Sequence, residues 1–390
     1  MFDIANFKQR FQEHYGENPV LLVKSPGRIN LIGEHTDYNE GYVLPAAIDK
    51  YIYVALSSRD DTEIHLYSAS YQKSFATLTT KNDLSDAPEW AKYILGVVQQ
   101  IQARGRHING FNISVDGDVP LGAGLSSSAA LTCAVGYALD NLFSLGLSRQ
   151  DIALIGQQTE HEAIGLKCGI MDQFASVMGR AQHAIQLDCR NLRYDYIPLQ
   201  WGEYELLLLN TNVKHSLATS AYNDRRAACE QGVSWVQEAY PEVQSLRDVT
   251  LQQLMVYVQP KSEDVFTKCL FVIKENQRLL DACQALLRKD IERFGELLFE
   301  AHWALSREYE VSCAELDFLV SAAQEHPDVI GARMMGGGFG GCTINLVKKG
   351  RSADFIQQVA PQYETQFGHA FTPIDIAIGE GSSLVTSGEA

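Results

Sequence analysis

The sequence predicts an α+β fold divided into two parts. Three observations lead there. Strand-like and helix-like patterns alternate from end to end with no internal repeat and no low-complexity linker. The stretch 218–325 is mainly helical, with strands on either side of it. The chain has 390 residues, more than one ordinary core of roughly 150 residues organises.

Taken in order, residues 20–24 form a short apolar run ended by Ser25-Pro26-Gly27, which reads as a strand followed by a turn. The β-branched and aromatic bias of 51–56 and 64–67 predicts two more strands. Trp90, Ile94, Val97, Val98 and Ile101 recur at helical spacing, so an amphipathic helix is expected there. Phe111, Ile113 and Val115 alternate with polar residues as in a half-buried strand, which runs into Gly117, Pro120 and a glycine-serine loop. Residues 129–143 are apolar enough for a buried helix. Ser148 and Asp151 have capping-box spacing, ahead of a helix reaching about 163. Strands are expected at 184–187 and 205–209. After the helical stretch, a second glycine loop leads to a strand at 343–347, a helix at 353–367 and a closing strand at 372–378. The division between the two parts falls near 198–205.

Composition narrows the function. Lys plus Arg number 32 against 48 Asp plus Glu, a net charge of -16. A general nucleic-acid binder needs a broad positive surface, so that class is excluded. A small anionic ligand is not, because one arginine and a helix N-terminus suffice to hold a phosphate. Eight cysteines at wide spacings form no CxxC pair and read as reduced thiols. The N-terminus lacks the apolar stretch of a signal peptide, and no run of about 18 apolar residues occurs. A cytoplasmic protein without membrane or protein partners is expected.

Three segments carry candidate chemistry. In the first, Pro26-Gly27-Arg28-Ile29-Asn30-Leu31-Ile32-Gly33-Glu34-His35-Thr36-Asp37-Tyr38, acids, a histidine and hydroxyls crowd into five positions beyond a buried strand. Carboxylates suit sugars, since each accepts from two neighbouring hydroxyls. A polar turn with a capped helix start fits equally well, while a metal site at His35 and Asp37 lacks a third ligand at a recognisable spacing. The second segment is Pro120-Leu121-Gly122-Ala123-Gly124-Leu125-Ser126-Ser127-Ser128-Ala129. Its glycines would let backbone amides approach phosphates at a helix N-terminus, and a serine hydroxyl can serve Mg²⁺ or a phosphate. No Gly-Lys-Ser/Thr follows, so it is not a Walker A loop, and Ser127 stands where a dinucleotide fingerprint has its third glycine. A plain loop-to-helix turn remains the alternative. The third, Met335-Gly336-Gly337-Gly338-Phe339-Gly340-Gly341, loses much backbone entropy on folding. It reads as a tight hairpin or as a second backbone wall close to a ligand. These readings together reach an enzyme that binds a phosphorylated, hydroxyl-rich ligand.

Together the three segments resemble the motifs of the GHMP kinase superfamily. The second resembles its phosphate loop, the third its C-terminal glycine motif, and Gly27 to Tyr38 resembles the signature of the galactokinase branch. The resemblance spans about 20–378. It implies an N-terminal domain like domain 2 of ribosomal protein S5 (1–203) and a ferredoxin-like α/β C-terminal domain (204–390), with the active site in the cleft between them. The implied reaction transfers phosphate from ATP, with Mg²⁺, to the C1 hydroxyl of α-D-galactose, the first committed step of the Leloir pathway. Carried over residue by residue, Asp172 matches the catalytic base and Arg28 its neighbouring arginine. Glu34, His35, Thr36, Asp37, Gly169 and Tyr222 match the sugar site, and Gly122 to Ser128 the nucleotide phosphate loop. Ser128 and Glu160 match the metal ligands. Other sugar kinases of the same fold, and a sugar sensor without turnover, are the rival readings; the intact serine loop and Asp172 argue against the sensor.

Overall fold

The computed structural model describes residues 2–213 and 218–386. Helix α1 (Ile4–Tyr15) starts where Asp3 accepts from the Asn6 amide at 2.9 Å and stops at Gly16, whose φ of 75° ends the helix. Strand β1 (Leu21–Asn30) follows, and here the structure corrects the sequence reading: Ser25-Pro26-Gly27 is not a turn but the middle of the strand. A register shift between Pro26 and Arg28 makes a β-bulge, which tolerates a proline without an N–H. Gly27 is required there, because a β-carbon would stand 2.6 Å from the Leu125 carbonyl oxygen.

The chain continues through β2 (Tyr42–Val43), β3 (Pro45–Ser58), β4 (Glu63–Ser68), β5 (Lys73–Leu78), α2 (Glu89–Ala103) and β6 (Phe111–Gly117). Helices α3 (Ser127–Phe143), α4 (Arg149–Thr159) and α5 (Met171–Met178) come next, then β7 (His183–Asp188), β8 (Arg193–Pro198) and β9 (Tyr204–Asn210). The expected capping box is present at Ser148 and Asp151, and α4 runs into a π-helical turn, Glu160–Ile164. The helical stretch comprises α6 (Ala218–Gln237), the single turn α7 (Leu251–Gln253), α8 (Glu263–Leu287), α9 (Ile291–Arg307) and α10 (Ala314–Glu325). Strands β10 (Val329–Met334) and β11 (Cys342–Lys348), helix α11 (Ser352–Phe367) and strands β12 (Thr372–Asp375) and β13 (Ser383–Leu384) close it.

Two main sheets result. The first has the order β13-β1-β3-β6-β4-β5, the second β10-β11-β9-β12, and β2-β7-β8 form a small third. Period-2 alternation sorts the first sheet's faces. Val54 and Leu56 of β3 pack with Ile94 and Val98 of α2 and Val135 of α3, while Tyr53 and Ala55 pack under Phe7 and Phe11 of α1. Helix α9 lies against β10 at a glycine contact, where a β-carbon on Gly331 would come within 2.5 Å of the Gly295 Cα. The core between the sheets is continuous, joining Ile29 of β1 and Leu31 just after it to Leu208 of β9, Phe294 of α9 and Ile344 of β11. Among the described residues, no helix is long and apolar enough to cross a membrane.

Candidate active site

The bulged β1 delivers Arg28 to the end of α3. Its guanidinium is almost fully buried and makes a two-pronged pair with Asp172 of α5: Nε donates to Oδ1 and Nη2 to Oδ2, each at 2.7 Å. Such a fork-on-carboxylate pair fixes both side chains in one plane. The third arginine nitrogen, Nη1, donates to the Gly124 carbonyl at 2.6 Å, and the Arg28 amide donates to the Leu125 carbonyl at 3.1 Å. One residue thus ties the loop 122–128 to the acid of α5.

That loop is held by its apolar members and shaped by its others. Ala123 and Leu125 are buried. Gly122, Gly124 and Ser126 have φ of 76°, 74° and 57°, the left-handed region that glycine enters without strain and serine does not. Ser126 is the N-cap of α3, yet among the described residues its side chain caps no α3 amide. The first amides of a helix of 17 residues therefore stay available for an anion. The Ser126 hydroxyl donates to Asp172 Oδ2 instead.

Two cavities lie beside these groups. One, of about 470 Å³, is lined by Ser127 and Ser128 of the loop together with Lys73, Trp90, Tyr93 and Leu131. The other, of about 240 Å³, is lined by Arg28, Glu34, His35, Asp37, Gly169, Asp172 and Tyr222, with Leu166, Cys168, Met171 and the run Gly336 to Phe339 completing its walls. The glycine motif is thus a backbone wall of the smaller cavity, as one of its two sequence readings had it. Gly338, with φ of 87°, packs so closely on the Val311 carbonyl that no side chain fits there.

Each residue expected at the sugar site has a definite setting. Glu34 is 2% exposed, accepts from the Gly336 amide at 2.7 Å, and lies 3.0 Å from Nη2 of Arg333. Asp37 accepts from the Tyr38 amide at 2.9 Å and lies flat against Gly169, where a β-carbon would overlap its carboxylate. Burial, reinforced by the nearby Asp172 charge, pushes its pKa up to about 7. His35 donates from Nε2 to the Gly337 carbonyl at 3.2 Å, so Nδ1 must be the acceptor of the Tyr38 hydroxyl at 2.7 Å. Burial lowers its pKa to about 3, which keeps the ring neutral. Both ring nitrogens are therefore engaged within the protein, and His35 offers the cavity its ring.

Thr36 requires a correction. It does not line the cavity: it is fully buried, and its hydroxyl lies between the Gly33 and Tyr42 carbonyls at 2.9 and 2.5 Å. A threonine among charged residues reads as a ligand in sequence, but its hydroxyl serves the turn.

Glu160 sits on the π-helical turn after α4, 3% exposed, accepts from Gln173 Nε2 at 3.0 Å and has the Ser128 hydroxyl nearby. Burial and the Asp172 charge push it up to about 7. A buried carboxylate beside a second acid and a serine hydroxyl is a donor set that a hard divalent cation satisfies. Among the described residues, no cluster of three or more His, Cys, Asp or Glu could hold a metal on its own. Side chains this few fit an ion that shares its coordination with ligand phosphates.

Sequence reasoning missed several residues. Arg333 of β10 is wholly buried and donates from Nη1 to the Asn30 carbonyl at 2.9 Å while its other end meets Glu34. Tyr309 hydrogen-bonds the Tyr38 hydroxyl at 2.8 Å and stands behind the histidine. An arginine three residues before the second glycine run carries a faint signal. Tyr309, in a loop far from every motif, carries none.

With this geometry in place, the comparisons can be read. Residues 9–58 match the family model described as the galactokinase galactose-binding signature. Residues 92–180 and 282–364 match the GHMP kinase N-terminal and C-terminal domains. The chain is 38% identical over 389 residues to a galactokinase of Chloroflexus aggregans, covering 100% of both chains. It is 39% identical over 384 residues to one of Clostridium perfringens, covering 97% of this chain and 99% of the other. Among solved structures, the galactokinase of Lactococcus lactis complexed with galactose superposes with a TM-score of 0.93 at 35% identity, covering 98% of this chain and 100% of that one. The mevalonate kinase of Methanococcus jannaschii superposes at 0.66 with 18% identity, covering 92% and 98%, and shares the fold.

Proposed function

The chain belongs to the galactokinase family of the GHMP kinases, and from that premise we propose how its residues divide the work of phosphorylating galactose at C1 with ATP. The smaller cavity takes the sugar. The larger takes the nucleotide, with its phosphates against the loop 122–128 and the amides of α3. Trp90, whose buried indole N–H has no partner among the described residues, offers a donor to the base or ribose.

Phosphoryl transfer asks for position and charge more than for covalent chemistry. The C1 hydroxyl is a weak nucleophile; Asp172 takes its proton while the oxygen bonds to the γ-phosphorus and the bond to ADP breaks. Arg28 holds that carboxylate in plane, and three of its five N–H groups already serve described residues, so two remain for the moving phosphoryl oxygens. Glu34, Asp37 and the Tyr222 hydroxyl accept or donate to the remaining sugar hydroxyls, with Leu166, Met171 and Phe339 as apolar walls. Ser128 and Glu160 would hold Mg²⁺, which when bound neutralises charge on the β- and γ-phosphate oxygens. A division into 1–203 and 204–390 is supported by the start of the second sheet at Tyr204, though β13 returns to the first sheet, and the eight unpaired cysteines suit the reducing cytoplasm.

The observation that carries this reading is the Arg28–Asp172 pair, which stands in the wall of the smaller cavity and is tied to the loop 122–128. Asp172→Asn keeps the shape and one acceptor but cannot take a proton. ADP release with galactose is expected to fall by about 10²–10⁴-fold, with galactose still bound in calorimetry. Near-normal turnover would remove Asp172 from proton transfer. Turnover of N-acetylgalactosamine or L-arabinose in preference to galactose would reassign the sugar.

A further inference from the structure

Asp172 has two oxygens with about four acceptor sites between them, and the structure fills them unevenly. Oδ2 receives two donors, Arg28 Nη2 and the Ser126 hydroxyl, so both of its sites are taken. Among the described residues, Oδ1 receives Arg28 Nε alone and keeps one site open. We infer that Ser126 is a positioning residue for the base: by closing Oδ2 it leaves Oδ1 as the oxygen that receives the sugar proton.

Three features of Ser126 support this role. A serine at an N-cap ordinarily turns its hydroxyl onto the amides of its own helix, whereas this one turns to the acid of another helix. It holds a left-handed backbone with φ of 57° and ψ of 50° that a side chain other than asparagine or aspartate rarely adopts. Arginine alone could not make the choice, since its fork contacts both oxygens at the same 2.7 Å. The serine is the group that makes the two oxygens unequal. Its place in the phosphate loop also means that the nucleotide-binding segment and the base share one hydrogen bond.

The inference rests on Asp172 being the base, so the test varies both positions. Ser126→Ala removes the hydroxyl. Ser126→Gly removes it while adopting φ of 57° freely, and serves should the alanine variant fail to fold. Losing one charge-assisted hydrogen bond at the base is expected to lower kcat by about 10-fold, with KM for galactose and for ATP each within roughly 3-fold of the parent. In the Asp172→Asn background the same Ser126 change should cost less than about 2-fold, because a residue acting through the base has nothing left to position. An equal loss in both backgrounds, or a raised KM for ATP with kcat intact, would make Ser126 a plain phosphate-loop residue and overturn the inference. Near-normal turnover of Asp172→Asn by itself would instead overturn the assignment of the base, and the two failures are separable in one set of four proteins.

Discussion

Among single residues, the acids of the site are held in states that their neighbours dictate. Asp37 is the clearest case for a pH experiment, because its pKa of about 7 in the folded protein stands above the ordinary value of 3.8. Between those two values the folded chain holds a proton that the unfolded chain has lost. Stability from this group is therefore fully present at low pH and declines as pH rises through that window, by about 1.4 kcal/mol per pH unit at most. Asp37→Asn abolishes the term. The Tm of the ligand-free variant, relative to the parent, should be more favourable at pH 8 than at pH 5. A difference that stays constant with pH would mean that Asp37 is not held protonated. The sequence placed Asp37, Glu34 and His35 in one stretch, but not their states. Those depend on Arg333, Gly169 and Asp172, which come from distant parts of the chain.

Among elements, the contact of α9 with β10 sets how the second sheet is covered. Gly295 and Gly331 face each other without room for a side chain on either, and a β-carbon at 295 would overlap the Ile330 carbonyl. Backbone cannot step aside as a flexible side chain can, so Gly295→Ala is expected to destabilise by several kcal/mol, on the order of an overpacked core site. Ser148→Ala is the contrasting case: it removes a capping box at an exposed helix start and should cost about 1 kcal/mol. Paired urea titrations would check both, and a Gly295→Ala midpoint equal to that of Ser148→Ala would show that the helix can shift. These elements also mark what sequence pattern could supply. The capping box, the amphipathic α2 and the alternating β6 were legible because local periodicity decides them. Strand β8, largely exposed, and β10, interrupted by Gly331, lack the continuous apolar run that marks a buried strand. Ser25-Pro26-Gly27 reads as a stop because the bulge that carries the strand past it depends on the partner strand β3 and on the loop 122–128, neither visible from the segment itself.

Across the whole molecule, the two sheets are bound into one cooperative body. Their shared core joins Ile29 and Leu31 to Leu208, Phe294 and Ile344. Polar links reinforce it: Arg333 reaches the Asn30 carbonyl, Glu275 accepts from the Gly33 amide at 3.1 Å, and Asn276 accepts from the Tyr42 amide at 2.8 Å. The chain end then returns, pairing Leu384 with Val23 and joining the Ser382 and Ser25 hydroxyls at 2.7 Å. A segment 1–203 cut from the rest would expose the buried face of β1 and leave Asn30 and Gly33 without these partners. Its isolated form is accordingly expected to be unfolded or aggregated, although it holds the galactose-binding signature and the loop 122–128 together. The intact chain should melt in a single transition, with the calorimetric and van't Hoff enthalpies equal. Because the cavity proposed for the sugar takes its walls from both sequence halves, from Glu34 to Phe339, ligand binding there must stabilise that whole transition rather than one part of it. Galactose at 100 times its dissociation constant adds about 2.7 kcal/mol, which for a chain of 390 residues raises Tm by about 3 °C. Two resolved transitions, only one of them moved by galactose, would mean that the halves fold independently and that the core between the sheets contributes little to holding the site together.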